Sequence, residues 1–188
     1  MSILIYQQIN NQHKNIKMKL IELKSIANGF ASIDFGDIDM TTVLKEGKLE
    51  FVEGKTFRWN RSTGNAISDS PFYIGAMPIF DTEKLSGILS SLNVASAEFD
   101  VEGRSYTIIN APHFNGDIIN REKSEMRTFR SGKIMNIKKY VFNSGFNYPQ
   151  IFTPSEFVMN TFCKKETAQM LLSCEFNQLL FVECEVEA

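Results

Sequence analysis

The sequence predicts an α+β fold, a largely antiparallel sheet with two or three short helices, and three stretches carry that expectation. Residues 95–110 alternate apolar and polar side chains on both sides of Glu102-Gly103-Arg104, the pattern of a hairpin around a tight turn. Residues 81–92 place Leu85, Ile88, Leu89 and Leu92 at i, i+3, i+4 and i+7, behind a capping oxygen from Asp81 or Thr82. Near residue 188, Val182, Cys184 and Val186 alternate with Glu183, Glu185 and Glu187, which reads as a half-buried strand with an acidic outer face.

The 188 residues are 43% hydrophobic and 22% charged, which suits a single domain whose core needs no staple. Residues 2–7 read as a short strand and 13–15 as a loop, while 17–24 has a mixed periodicity that fits neither template. Asn28-Gly29 signals a turn before a strand over 30–35. Residues 49–52 and 56–59 flank Glu53-Gly54-Lys55 and predict a hairpin. The polar run 61–70 is the one candidate for an internal linker, although its composition is not that of a flexible tether. Residues 134–143 predict a further strand or strand pair. Thr153-Pro154-Ser155-Glu156 has a capping-box pattern, yet residues 158–163 show no helical stripe. The preferred reading is therefore a strand there and a helix over 164–172. Residues 74–101 and 157–186 then share a strand, helix, strand order, with Glu83 aligned on Glu166 and Ile88-Leu89-Ser90 on Leu171-Leu172-Ser173. That is too little to establish a repeat.

Lys plus Arg is 20 and Asp plus Glu is 22, a net charge of -2. This excludes a strongly basic nucleic-acid binder or a polybasic membrane adapter at whole-chain level. The balance conceals a separation. Asp34, Asp37, Asp39, Glu46, Glu50 and Glu53 are opposed by Lys45 and Lys48 alone over 34–53. The order of IDFGDIDM is wrong for a calcium loop. A solvated face is the default reading of such a patch, and the alternative is a surface that meets a basic partner and accelerates encounter. Asp34, Asp37 and Asp39, with Trp59 and Arg61 as residue types enriched at interface hot spots, are the candidate partner-binding set. Trp59 suits a core edge equally well. Residues 121–139 carry the opposite sign: Arg121, Lys123, Arg127, Arg130, Lys133, Lys138 and Lys139 against Glu122 and Glu125, with Phe129 and Tyr140 close by. The preferred reading of this run is a solvated loop and strand face; Arg121, Lys123, Arg127, Arg130 and Lys133 define the alternative functional reading, a small nucleic-acid or nucleotide-binding module, without any recognised motif to accompany it.

Catalytic patterns are absent from the sequence: it has no GxSxG, Walker loop, HExxH or GxGxxG. His113, four residues before Asp117, comes nearest to an oriented general base, and His13 has no visible partner. The expectation is a protein that is not an enzyme and takes no cofactor. Cys163, Cys174 and Cys184 form no CxxC or Cys/His cluster, so no metal is expected either. An odd number of thiols, no signal-peptide pattern and no apolar run of membrane length lead to the expectation of a cytoplasmic protein without membrane contact.

From about residue 71 onward the order of segments resembles a bacterial immunity family of polymorphic-toxin systems, the eleventh numbered immunity family, formerly a domain of unknown function. The resemblance is carried by Met77-Pro78-Ile79-Phe80 before the leucine-rich EKLSGILSSL, by Glu98-Phe99 in the next strand and by Tyr106-Thr107-Ile108-Ile109-Asn110. It continues through GDIINREKSE, KKYVF before Ile151-Phe152, and then FVMN, KKETAQMLL and EFNQLLFVE. Cys174-Glu175-Phe176 departs from the family, which often has Gly before that Phe. The resemblance implies a small cytosolic bacterial protein that binds a cognate toxin domain and neutralises it. It supplies no catalytic residues, and residues 1–70 lie outside it.

Overall fold

Residues 17–24 fit neither period because the strand they contribute is buried on both faces. In the computed structural model, which describes residues 19–26, 29–73, 77–157 and 160–187, Leu20–Ser25 (β1) lies at the centre of a six-stranded sheet. Leu20, Ile21, Glu22 and Leu23 are all buried there. The strand expected over 2–7, and His13, lie outside the described residues.

The next part of the chain builds a separate sheet. Gly29–Phe30 (β2), Ser32–Asp34 (β3), helix Met40–Glu46 (α1), a 3-10 turn Leu49–Phe51, Thr56–Asn60 (β4) and Gly64–Ala66 (β5) come first. Phe72–Tyr73 (β6), Met77–Asp81 (β7), helix Thr82–Leu92 (α2), Ala95–Val101 (β8) and Arg104–Asn110 (β9) follow; the six-stranded sheet has the order β3-β4-β8-β9-β7-β6, and β2 and β5 pair with each other as a two-stranded sheet. His113–Phe114 (β10), the hairpin Glu125–Thr128 (β11) and Ile134–Lys139 (β12), Val141–Asn143 (β13), Ile151–Pro154 (β14), Thr161–Lys164 (β15), helix Lys165–Ser173 (α3) and Leu179–Glu187 (β16) follow. β11 and β12 pair only with each other, and the other strands take in β1 to give the order β10-β14-β15-β1-β16-β13. The fold is α+β, with mostly antiparallel sheets and three helices among the described residues.

Local chemistry explains the legible parts. Glu102 and Gly103 both have positive φ, 52° and 87°, the backbone of a type I′ turn that matches strand twist in the β8–β9 hairpin. Asp81 caps α2 by accepting from the Lys84 amide at 3.0 Å. Leu85 and Leu92 are buried, with Ile88 and Leu89 half-buried beside them.

Three expectations are corrected and one element is new. Residues 49–52 are not a strand: Leu49 and Val52 both turn into the core at i, i+3 spacing, so the segment winds and forms no hairpin with β4. Residues 61–70 are not a linker: β5 pairs with β2, and Ser68, Asp69 and Ser70 are buried. Their polarity serves internal bonds. Tyr106 donates to the Ser68 carbonyl at 2.7 Å, while Asp69 accepts from the Asn177 amide at 2.7 Å and from Lys84 Nζ at 2.5 Å. In β16 the apolar alternation is only partly buried, since Cys184 is covered but Val182 is 40% exposed. The α1 helix was not expected at all.

Three apolar clusters stack through the molecule. The middle one joins both sheets to both longer helices: Ile21 and Leu23, Phe80, Leu85 and Leu92, Ile109, Cys163, Ala168 and Leu171. An outer cluster covers the far face of each sheet, around Phe57, Phe99 and Tyr106 on the first and around Phe142, Phe162 and Leu20 on the second.

The two sheets are versions of one unit. Read as β4-β8-β9-β7-β6 and β13-β16-β1-β15-β14, neighbours are parallel, then antiparallel three times, in both. Each contains a strand, helix, strand crossover that skips one central strand, β9 in the first and β1 in the second. The registers correspond as well. Phe99 opposite Tyr106 matches Cys184 opposite Leu20, and Phe57 opposite Val101 matches Phe142 opposite Val186. Phe80 and Cys163 face the middle cluster from equivalent places, and Ile79 and Phe162 face outward. The short alignment of Glu83 on Glu166 belongs to this repeat.

Candidate functional site

The segment before β4 and the segment before β13 occupy corresponding places, each laid over the outer face of its own sheet. Residues 34–53 bury Phe35, Met40, Val43, Leu49 and Val52 in the first outer cluster. Residues 118–140 bury Ile118, Ile119, Ile137 and Tyr140 in the second. What remains outward is charge of opposite sign.

On the first face all six carboxylates, Asp34, Asp37, Asp39, Glu46, Glu50 and Glu53, are exposed. Three of them have local duties, Glu46 through an ion pair with Lys48 at 2.5 Å. Asp34 accepts from the Gly36 amide at 2.9 Å, closing the turn after β3. Asp39 caps α1, accepting from the Thr41 amide at 3.0 Å and the Thr42 hydroxyl at 2.7 Å. Hydrogen bonds from Thr42 hold its carboxyl below the usual carboxylate pKa. Asp34 also lines an open depression of about 340 Å³ with Phe35, Gly36, Thr56, Phe57 and Arg58. Phe51 stands out of the same segment at 40% exposure, with Lys48 Nζ 5.9 Å from its ring centre.

The other two residues of the candidate set are placed differently. Trp59 is 7% exposed and packs edge-on against Tyr106 at 5.6 Å, so its ring belongs to the core and is not a surface anchor. Its register in β4 turns it inward along with Phe57. Arg61 is exposed but committed: its guanidinium donates to both carboxylate oxygens of Glu102, at 3.2 and 2.8 Å. Glu102 also accepts from the Trp59 amide at 3.1 Å. That pair closes β4 onto the β8–β9 turn. Phe51, which sequence reasoning missed, is the aromatic that stands exposed on this face.

On the second face the structure divides the basic set. Arg121 pairs with Glu156 at 2.7 Å and Lys123 with Glu187. Lys138 pairs with Glu125 at 2.8 Å and Lys139 with Glu185 at 2.6 Å. The acidic edge of β16 is thus consumed by neighbouring lysines, Lys19 with Glu183 included. Arg127, Arg130 and Lys133 have no carboxylate within ion-pair distance among the described residues. They cluster on the β11–β12 hairpin with Phe129 and Met135, each 51% exposed.

Other chemistry is sparse. His113 lies exposed on the edge strand β10, and its imidazole has no bonded partner among the described residues. No three His, Cys, Asp or Glu side chains come close enough to share a metal ion among the described residues. Burial pushes the Cys184 thiol up to about 12 and Cys163 higher still, so neither is poised as a thiolate. No helix among the described residues is long and apolar enough to cross a membrane. Compared with known proteins, the chain matches no family model and no curated relative.

Proposed function

We propose that the chain is an immunity-type protein that binds a cognate secreted bacterial toxin domain and neutralises it by protein–protein association in the cytoplasm. The observation that carries the reading is the build of the first outer face, a segment anchored by five buried apolar side chains with six exposed carboxylates, an exposed Phe51 and an open depression beside it. The resemblance of residues 71–186 supplies the class of partner. Toxins that act on nucleic acids or nucleotides carry basic clefts, and a carboxylate face steers such a surface and then covers it. Phe51 takes the anchoring role first given to Trp59, in a contact of about 1,200–2,000 Å².

The test is to search the neighbouring genes for a toxin domain and to co-express any such domain with this chain, followed by association kinetics of the purified pair. Growth is expected to be restored. Asp37→Asn, Glu50→Gln and Glu53→Gln together, which spare the cap and the turn, should slow association roughly tenfold at low salt and flatten its salt dependence. Unprotected growth with no complex removes the reading. Protection with unchanged on-rates keeps the partner and removes the acidic face.

A further inference from the structure

The two outer faces hold corresponding places in the repeated unit, and each presents what the other lacks. The second offers an aromatic knob ringed by cations: Phe129, with Arg127, Arg130 and Lys133 on the same hairpin. The first offers an open depression of about 340 Å³ between the turn after β3 and the start of β4, lined by Asp34, Phe35, Gly36, Thr56, Phe57 and Arg58, beside the segment bearing six exposed carboxylates. Its one basic lining residue, Arg58, stands in register opposite Asp34.

We propose that a second copy of this chain docks head to tail, the β11–β12 hairpin of one copy seating Phe129 in the depression of the next while Arg127, Arg130 and Lys133 meet its 34–53 carboxylates. A nucleic acid fits the hairpin less well. Four of the seven cations in that segment are already held by Glu125, Glu156, Glu185 and Glu187, whose carboxylates repel phosphates. Three free cations give only a weak, salt-sensitive hold on a polyanion. Exposed Phe, Met and Arg together are instead the composition of a protein contact. The two patches are different surfaces on opposite outer faces, so the contact is heterologous. A copy that uses its hairpin keeps its own depression free, and association continues as an open chain instead of stopping at a dimer.

This inference goes beyond toxin binding and is tested with the chain alone, so its failure is distinct from a failure of that reading. Sedimentation velocity across a concentration series should show mass growing at low salt without a plateau at the dimer, and returning to monomer at high salt. Phe129→Ala should weaken association roughly tenfold. Arg127→Glu with Arg130→Glu and Lys133→Glu should give a monomer, as should Asp37→Lys with Glu50→Lys and Glu53→Lys. Mixing these two variants should restore association, because each then carries the charge the other needs. All these side chains are exposed, and Trp59 emission reports that each variant is folded. A wild-type chain that stays monomeric at every concentration overturns the proposal, and so does a mixture that fails to associate. Tight binding of a short single-stranded oligonucleotide by a monomer, lost on hairpin reversal, also overturns it and assigns the hairpin to nucleic acid.

Discussion

Leu23→Ala tests whether the two sheets behave as one structure. Leu23 lies on β1 in the second sheet, 1% exposed, and shares the middle cluster with Phe80, Leu85, Leu92 and Ile109 of the first. The substitution removes three buried carbons, about 2.4 kcal/mol of transfer free energy at roughly 0.8 kcal/mol each. The cavity left among rigid neighbours raises the cost to about 3–4 kcal/mol. With a urea slope of about 2 kcal/mol/M, the midpoint falls by roughly 1.5–2 M. The chain has a single tryptophan, Trp59, and it sits in the outer cluster of the first sheet, on the far side of that sheet from Leu23. If the shared middle cluster couples the sheets, Trp59 emission and far-UV circular dichroism should move together by that amount. A Trp59 transition that stays put while the circular dichroism transition shifts would refute the coupling, and with it the single-domain expectation.

Three further outcomes follow from the same geometry. Joining residue 187 to residue 19 through a short turn and opening the chain between β1 and β2 should preserve the fold, because Leu20 already lies opposite Cys184 as across a hairpin; a permuted chain with altered circular dichroism and no cooperative unfolding would exclude the paired-unit description. In Ellman titrations the native protein should show Cys174 alone, reacting slowly because burial raises its pKa, and all three thiols after urea; rapid reaction of Cys163 or Cys184 would contradict their burial. Asp39 has a lowered folded-state pKa, so what its charge adds to the α1 cap is present above about pH 4 and is lost as pH falls through the lowered value. The stability difference between wild type and Asp39→Asn, followed by thermal unfolding, should therefore shrink on acidification, and a difference that is constant with pH would show the charge to be idle.

The α2 helix and the β8–β9 hairpin were legible because their signals are local: a capping oxygen, an apolar stripe, and a glycine where the turn needs positive φ. β1 was not legible, since burial on both faces erases period two. α1 was hidden behind its charge, although Asp39 before Met40 and Val43, with Gly47 after Glu46, spells a capped and terminated turn of helix. The charged runs that make the binding surfaces could be seen in order. Which cations stay free could not, because Glu156, Glu185 and Glu187 reach the basic segment from distant parts of the chain. Trp59 turns inward through its register in β4 and Phe51 outward on the 3-10 turn, a difference that no count of aromatic residues contains. The repeat was masked by order, with its second version taking its central strand from before the first, and by composition, with buried Glu22 standing where the first has Ile108.

That borrowed strand has a consequence for how the protein is made. On the ribosome the first unit owns every strand it needs once β9 has emerged. β1 is synthesised before all of them, yet its backbone finds its paired strands only when β15 and β16 appear. Throughout that interval an apolar segment with both edges unpaired must wait beside a nascent chain, the situation in which strands mispair or recruit chaperones. The hazard in biosynthesis is concentrated in the earliest described strand, and it ends only when β16 is complete.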